Sequence, residues 1–294
     1  MIFKQKRSFK EKTARQAYIF VLPWLIGFLL FFIKPLVELF YYSFNKVEMS
    51  SNGGLTFTAV GFSQYKEAFF ENTKFNPLLS DAVLGSIPRM ILVLIFSLIV
   101  AVLLNGKFVG RGLARAVFFI PIIMASKTIT AVVGGMQAQM ITEVSGQDQG
   151  NIAFLTAFLA RFLDPRTLHF LLNSVSTIFN TVLLSGVQTL IFLSGLQAIS
   201  NSHYEVAKIE GASNYETFWR VTIPMISPMI LIAAVYTLAE HFMTAELVEY
   251  MNDIAFKTSN YGLSAAMSVV YLLVSLLIVT LVSFVISRRV YYND

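Results

Sequence analysis

The sequence predicts an all-α integral membrane protein with six transmembrane helices and both ends of the chain on the cytoplasmic side. Three observations predict it. Of 294 residues, 56% are hydrophobic and only 13% charged, about half the charged share of an average soluble domain, and mean hydropathy is +0.67. Six apolar runs are each long enough for a helix to cross a hydrocarbon core about 30 Å thick. The basic residues collect in alternate connecting segments: thirteen of the 22 Lys and Arg fall in the segments assigned to the cytoplasm. Six others (Lys46, Lys66, Lys74, Arg161, Arg166, Lys257) are spread over much longer external segments, and Lys34, Arg89 and Lys127 lie within spans. That asymmetry is the positive-inside pattern, and it accounts for the basic balance of +5 without any nucleic acid.

Taken in order, residues 1–16 carry Lys4, Lys6, Arg7, Lys10, Lys12 and Arg15 ahead of an apolar run from Ala17 to about Ser43. The run has no small-residue cleavage site, so it reads as a retained first helix rather than a signal peptide. Lys34 and Glu38 are four apart near its outer end, where they can pair or snorkel. Residues 45–80 read as a polar external loop with a turn at Asn52-Gly53-Gly54; with the first helix they make a 17–80 segment. Residues 81–287 form the core. Helix two spans about 81–104, a basic loop holds Lys107, Arg111 and Arg115, and helix three runs to about Met136. In the external segment 137–172, Ile152 to Leu163 is too broken by Arg161 and Asp164-Pro165 to span, and short interfacial helices are expected. Helix four spans about 173–199, helix five about 225–247 and helix six about 261–287. An external loop with Asn252, Asp253 and Lys257 joins the last two, and Arg288-Arg289 opens a cytoplasmic tail, 288–294.

Between helices four and five lies a polar interruption, residues 200–224, whose centre reads YEVAKIEGASNYETFWRVTIP. Glu205 to Glu210 are good helix formers without a breaker, and Gly211 can end a short helix by taking a positive φ. Ala207 and Gly211 are four apart and so share a helical face, a small-residue surface that a large partner could approach closely. Tyr215, Phe218, Trp219 and Val221 supply packing groups for the membrane-side helices, and Pro224 suits the first turn of a new helix. An amphipathic helix lying on the bilayer with no partner is the alternative.

The spacing Glu205-Val206-Ala207, three residues, Gly211, nine residues from Ala212 to Arg220, then Val221-Thr222-Ile223-Pro224 resembles a known cytoplasmic loop. It is the loop by which the permease subunit of a binding-protein-dependent ABC importer grips its ATPase. Val206 stands where Ala is usual and Glu210 where Asp is common; the spacing is unchanged. The stretches PWLIGFLLFFIKPLVELFYYSF, GFSQYKEAF and GKFVGRGLARAVFFIP resemble the same family, in its maltose-type carbohydrate branch and in the smaller half without extra N-terminal helices. The resemblance implies a type I importer fold, a second homologous permease, two ATPase subunits that bind ATP and Mg, an external solute-binding protein and the surrounding lipid bilayer. It further implies that Glu205 contacts the ATPase, that Ala207 permits close approach and that Gly211 turns the chain, with Ala212 and Pro224 completing the motif. Alternating access around a midplane site is the implied mechanism.

Polar residues inside spans are costly and are therefore candidates for a substrate path. Helix four carries Ser174, Thr177, Thr181, Ser185 and Gln188 at intervals of three, four, four and three, which stack into one stripe. Helix six repeats this with Tyr261, Ser264, Ser268, Tyr271 and Ser275. Helix five sets Tyr236 four before Glu240 and Thr237 four before His241. Hydroxyls, amides and a few aromatic rings suit a neutral sugar, and no concentrated charge awaits a permanent ion. The candidates are Thr177, Thr181, Ser185, Gln188, Tyr236, Glu240, His241, Ser264, Ser268 and Tyr271, against the alternative that the small hydroxyls serve only close helix packing.

The sequence has no phosphate-cradling G-x-x-x-x-G-K-[ST] loop, so ATP hydrolysis belongs to another chain. There is no Cys and only three scattered His, which argues against a metal site, and no nucleophile cluster suggests an enzyme. Two rival functions remain: an ABC importer for a solute such as a polyamine or phosphate, and a gradient-driven secondary transporter using Glu240 and His241 as a proton relay.

Overall fold

The computed structural model describes residues 21–49, 54–106, 109–110, 112, 164, 167, 181 and 185–291. The N-terminal basic segment, helix three, most of the second external segment and the first part of helix four, with Lys127 and Thr177, lie outside the described residues.

Helix α1 spans Val21–Ser43, and its apolar span is unburied, as a lipid-facing helix should be. A π-helical turn, Leu29–Ile33, interrupts it, with the Lys34 N–H bonded to the Leu29 carbonyl. Pro35 follows at the start of Lys34–Ser43; it has no N–H to continue the ladder, and the wider turn absorbs the mismatch. Lys34 and Glu38 do pair, at 3.8 Å and exposed, a contact of little energetic weight.

The expected loop after α1 is instead an antiparallel hairpin of β1 (Asn45–Met49) and β2 (Leu55–Ala59), with Val47 opposite Phe57. Val47 is buried, and Gly54 closes the turn at φ +100°. The short helix α2 (Ser63–Lys66) runs into a π turn, Glu67–Glu71. Helix α3 (Phe75–Asn105) starts at Phe75 rather than about 81, because Asn72 Oδ1 accepts the N–H groups of Lys74 (3.1 Å) and Phe75 (2.9 Å) and caps the first turn.

Helix α4 covers Gly186–Ala198, α5 Asn201–Ile209, and α6 Asn214–Thr217 followed by a π turn, Phe218–Thr222, and a helical turn, Ile223–Met225. Helix α7 (Ser227–Thr244) stops at Ala245, whose ψ of 143° is extended. The expected external loop that follows is mostly helical: α8, Glu246–Phe256, buries Leu247, Met251 and Ile254 at helical spacing. Its outer face, carrying Glu246, Glu249 and Asp253, is what made the segment look like a loop. Helix α9, Tyr261–Ser287, has the expected bounds.

The described residues pack as two units. One joins those up to Val83 with Met243–Leu277. Its core holds Phe75, Ala68, Leu247, Ala266 and Met267, all nearly or fully inaccessible. Asn72 and Tyr250 tie α8 to the start of α3 by exchanging hydrogen bonds at 2.9 and 3.0 Å. A Cβ at Gly262 would collide with the Asn45 carbonyl oxygen, so only glycine lets α9 begin against β1. The other unit joins residues from Leu84 to Phe242 with those from Ile278 onward. Its core interleaves Val100, Ala101 and Leu104 of α3 with Phe192, Leu193 and Leu196 of α4 and Ile226 and Ala233 around the start of α7. Gly195 lets α4 and α7 approach so closely that an added Cβ would lie 2.6 Å from Met229 Cγ. The Tyr291 N–H donates to Ser227 Oγ at 2.9 Å, holding the chain beyond α9 at the start of α7.

Candidate functional site

The elbow between α4 and α7 is built by local hydrogen bonds. Ser200 caps α5, its hydroxyl accepting the Ser202 N–H. At the other end, Gly211 takes φ +78°, its N–H bonds to the Lys208 carbonyl at 3.1 Å, and the Ala212 N–H bonds to the Ala207 carbonyl at 2.9 Å. These two bonds are the Schellman arrangement that ends a helix at a left-handed glycine. Nothing lies within 4 Å of a Cβ built on Gly211, so glycine is required there by backbone conformation and not by crowding within the chain.

Beyond Gly211 a capping box starts α6. Ser213 Oγ accepts the Glu216 N–H at 3.3 Å, while Glu216 Oε2 accepts the Ser213 N–H and hydroxyl, both at 2.9 Å. The backbone N–H of Ser213, then its hydroxyl, hold the Glu216 carboxyl below its ordinary pKa. Phe218 and Thr222 turn toward the unit's own helices, lining a cavity of about 270 Å³ with Val102, Asn105, Leu196 and Tyr204. The Tyr204 and Thr222 hydroxyls are 3.3 Å apart, joining α5 to the returning chain.

Of the elbow residues expected from sequence, Glu205 is exposed, Gly211 makes the turn, Ala212 completes it and Pro224 starts the helical turn before α7. Ala207 is 5% exposed, so its small side chain lies against this chain's own residues rather than on an open face. The open apolar groups are ones the sequence analysis passed over. Ile209 is 85% and Val206 54% exposed. The signal was available: both are large apolar residues on a helix outside the apolar spans, off the stripe that Ala207 occupies.

A second cluster lies between α4 and α7. Gln188 is fully buried, and its Nε2 donates to Thr237 Oγ1 at 3.1 Å and to Glu240 Oε2 at 3.2 Å. The Thr237 hydroxyl in turn donates to the Ala233 carbonyl at 2.7 Å. Both amide hydrogens are therefore used, and the carboxylate fixes which way the amide faces. That leaves Gln188 Oε1 buried without a partner among the described residues, as is Thr189 Oγ1 on the next residue. Such groups call for a donor from water or a ligand.

The remaining path candidates distribute unevenly. Ser185 precedes α4 and its carbonyl accepts the Ser97 hydroxyl at 3.3 Å. Thr181 lines an apolar cavity of about 610 Å³ along α3, with Pro88, Ile91 and Ile95. Tyr236 is partly exposed, and His241 meets the Phe242 ring edge-on. In the other unit, Ser264 Oγ donates to the Met251 carbonyl at 2.8 Å and Ser268 Oγ lies 3.5 Å from the Met251 sulfur, while Tyr271 is buried. The α9 hydroxyls thus fasten α8. Among the described residues no group of three or more His, Asp or Glu is arranged to hold a metal ion.

Among the described residues, four stretches are long and apolar enough to cross a membrane: Val21–Ser43, Phe75–Asn105, Ser227–Phe256 and Tyr261–Ser287. Together with a polar elbow that carries open apolar groups, they define a multi-pass membrane protein with a surface presented outside its spans. Residues 83–293 match the family of binding-protein-dependent transport system inner membrane components, and the chain belongs to that family. It is 30% identical over 251 residues to a probable ABC transporter permease protein, YesP, of Bacillus subtilis strain 168, covering 82% of this chain and 74% of the relative. It is 26% identical to the arabinooligosaccharides transport system permease protein AraP of the same strain, covering 92% of this chain and 88% of AraP. Among solved structures it resembles a chain of a bacterial ABC transporter involved in the import of the acidic polysaccharide alginate, with TM-score 0.60 and 21% identity over 98% of this chain and all of that one. The protein is a multi-pass permease of the cytoplasmic membrane.

Proposed function

We propose that this chain is a permease subunit of an ATP-driven carbohydrate importer, coupled to its ATPase through the elbow 200–224. The single observation that carries the coupling is the elbow's build: a helix ended by a Schellman turn at Gly211, with Val206 and Ile209 facing outward. An apolar surface on a rigid polar frame serves a protein groove better than bulk water. Carbohydrate is supported by the named relative AraP and by the character of the buried cluster. A polyhydroxylated ligand supplies many neutral donors, and Gln188 Oε1 and Thr189 Oγ1 are acceptors in want of them.

In this reading the chain has six spans with both ends cytoplasmic. It pairs with a second homologous permease, two ATPase subunits that hold ATP and Mg, and an external solute-binding protein. Closure of the ATPase pair moves α5; Glu205 contacts the ATPase surface, and Gly211 seats the helix. The motion passes through the Tyr204–Thr222 contact to the start of α7 and rocks the helices around the Gln188–Thr237–Glu240 cluster, which meets the sugar.

The test is a pair of substitutions at Gly211. Asn tolerates positive φ and keeps the residue small, whereas Trp adds bulk where this chain leaves open space. Sugar uptake in cells should survive Gly211→Asn and be lost in Gly211→Trp at equal membrane levels. Normal uptake by a well-expressed Gly211→Trp protein would sink the coupling role.

A further inference from the structure

The elbow carries a second exposed surface, separate from Val206 and Ile209. Tyr215 and Trp219 are 74% and 53% exposed, four residues apart on one face, with ring centroids 6.3 Å from each other. Arg220 beside them is exposed. Their neighbours Phe218 and Thr222 turn inward to Val102 and Leu196, so the aromatic pair is left facing away from this unit's helices. The capping box at Ser213 and Glu216 fixes where this helix begins, and the Tyr204–Thr222 contact fixes where it returns.

We infer that Tyr215, Trp219 and Arg220 anchor the returning limb of the elbow in the lipid headgroup layer at the cytoplasmic face. The limb runs through two further helical pieces into α7 at Ser227, and at 1.5 Å per residue Trp219 lies within about 12 Å of where that span starts. Tyr and Trp are the side chains that favour this layer, because an apolar ring can bury while its O–H or N–H stays wet. An arginine at the same level meets lipid phosphate. The elbow would then have two working faces: α5 meets a protein, and the limb beyond Gly211 rides on the bilayer, which sets the depth at which α5 is presented. This rests on the cytoplasmic placement of the elbow but not on which protein α5 meets.

The chain contains two Trp and no Cys, which makes the test direct. In Trp24→Phe full-length protein in lipid nanodiscs, Trp219 is the sole indole. Its emission should be blue-shifted, and lipid brominated high on the acyl chain should quench it about twofold more than lipid brominated near the chain end. A nitroxide on Tyr215→Cys, read in the assembly extracted from native membranes, should be more accessible to oxygen than to a water-soluble nickel complex. Quenching by aqueous iodide with no bromolipid effect would overturn the anchor. So would a label that loses access to both reagents in the native assembly, which would assign this face to a protein. Loss of coupling in Gly211 variants with bromolipid quenching intact would separate the two readings.

Discussion

The α4–α7 pair and the elbow that joins them are held together in opposite ways. In the helix pair, large groups are inside: Phe192 is 1% exposed, Ile226 and Leu238 are fully buried, and even the polar Gln188 and Thr189 are shut in. In the elbow, Val206, Ile209, Tyr215 and Trp219 are exposed, while Phe218 and Tyr204 turn inward beside the small Ala207 and Thr222. What fixes the elbow is a serine cap, a left-handed glycine and a capping box, all made between residues a few places apart. An element that holds its shape by its own backbone bonds does not need its apolar side chains for folding. They are left free to be a surface, and substitutions in the two regions should fail differently.

The largest effect belongs to the helix pair. Gly195→Leu forces a branched side chain into a gap where even a Cβ meets Met229 Cγ at 2.6 Å and Met229 Cβ at 3.4 Å. Overpacking of this kind costs about 1–3 kcal/mol, and the protein should show a lower unfolding temperature in detergent and reduced membrane levels. A Gly195→Leu protein as heat-stable as the parent would show that α4 and α7 do not meet at this point.

The elbow should give the reverse. Ile209→Asp removes an apolar group that is 85% exposed, so stability should stay within about 0.5 kcal/mol of the parent. If the residue is an anchor in a protein groove, burying a carboxylate there should lower uptake by about tenfold or more. Equal loss of stability in both variants would erase the distinction between the two regions. Unchanged uptake in Ile209→Asp would move the coupling surface elsewhere.

The sequence made some of this plain and hid the rest for physical reasons. Helix α9 was legible to the residue because its apolar run is unbroken and is bounded by Asn260, whose side chain caps it, and by Arg288-Arg289. Gly211 was legible because a glycine after a run of helix formers has few other uses. The hairpin was not, since a strand pair is defined by partners ten or so residues apart rather than by either strand's own pattern. Helix α8 was missed because half its surface is charged, and its apolar stripe of Leu247, Met251 and Ile254 is only three residues long. The direction of Ala207 and the convergence of Gln188, Thr237 and Glu240 are tertiary facts. Spacing placed Thr237 and Glu240 on α7, but only packing brings Gln188 to both. The stripe on α9 shows the limit from the other side: Ser264 and Ser268 have helical spacing suited to a path, yet their hydroxyls turn to Met251.

The smallest effect tests whether the elbow's shape is truly local. Glu216 is solvent-exposed, and its carboxyl is held below the ordinary value by the Ser213 N–H and then the Ser213 hydroxyl. A carboxyl whose folded pKa is lowered stabilises the folded form above its unfolded pKa and loses that contribution as pH falls through the lowered value. Hydrogen exchange at residues 213–217 should therefore speed up, relative to the unstructured rate at each pH, as pH falls from about 5 to about 3. In Glu216→Gln the amide oxygen can still accept from the Ser213 N–H but carries no charge, so protection should be slightly weaker at neutral pH and flat across the same range. The α4–α7 helix pair has its own carboxylate at Glu240, so whatever acid response it shows should be the same in both proteins, because none of its hydrogen bonds passes through Glu216. A loss of protection in 186–198 that appeared on acidification and vanished in Glu216→Gln together with that in 213–217 would mean the elbow is held by the helices after all, and its exposed face would have to be read as the edge of a core.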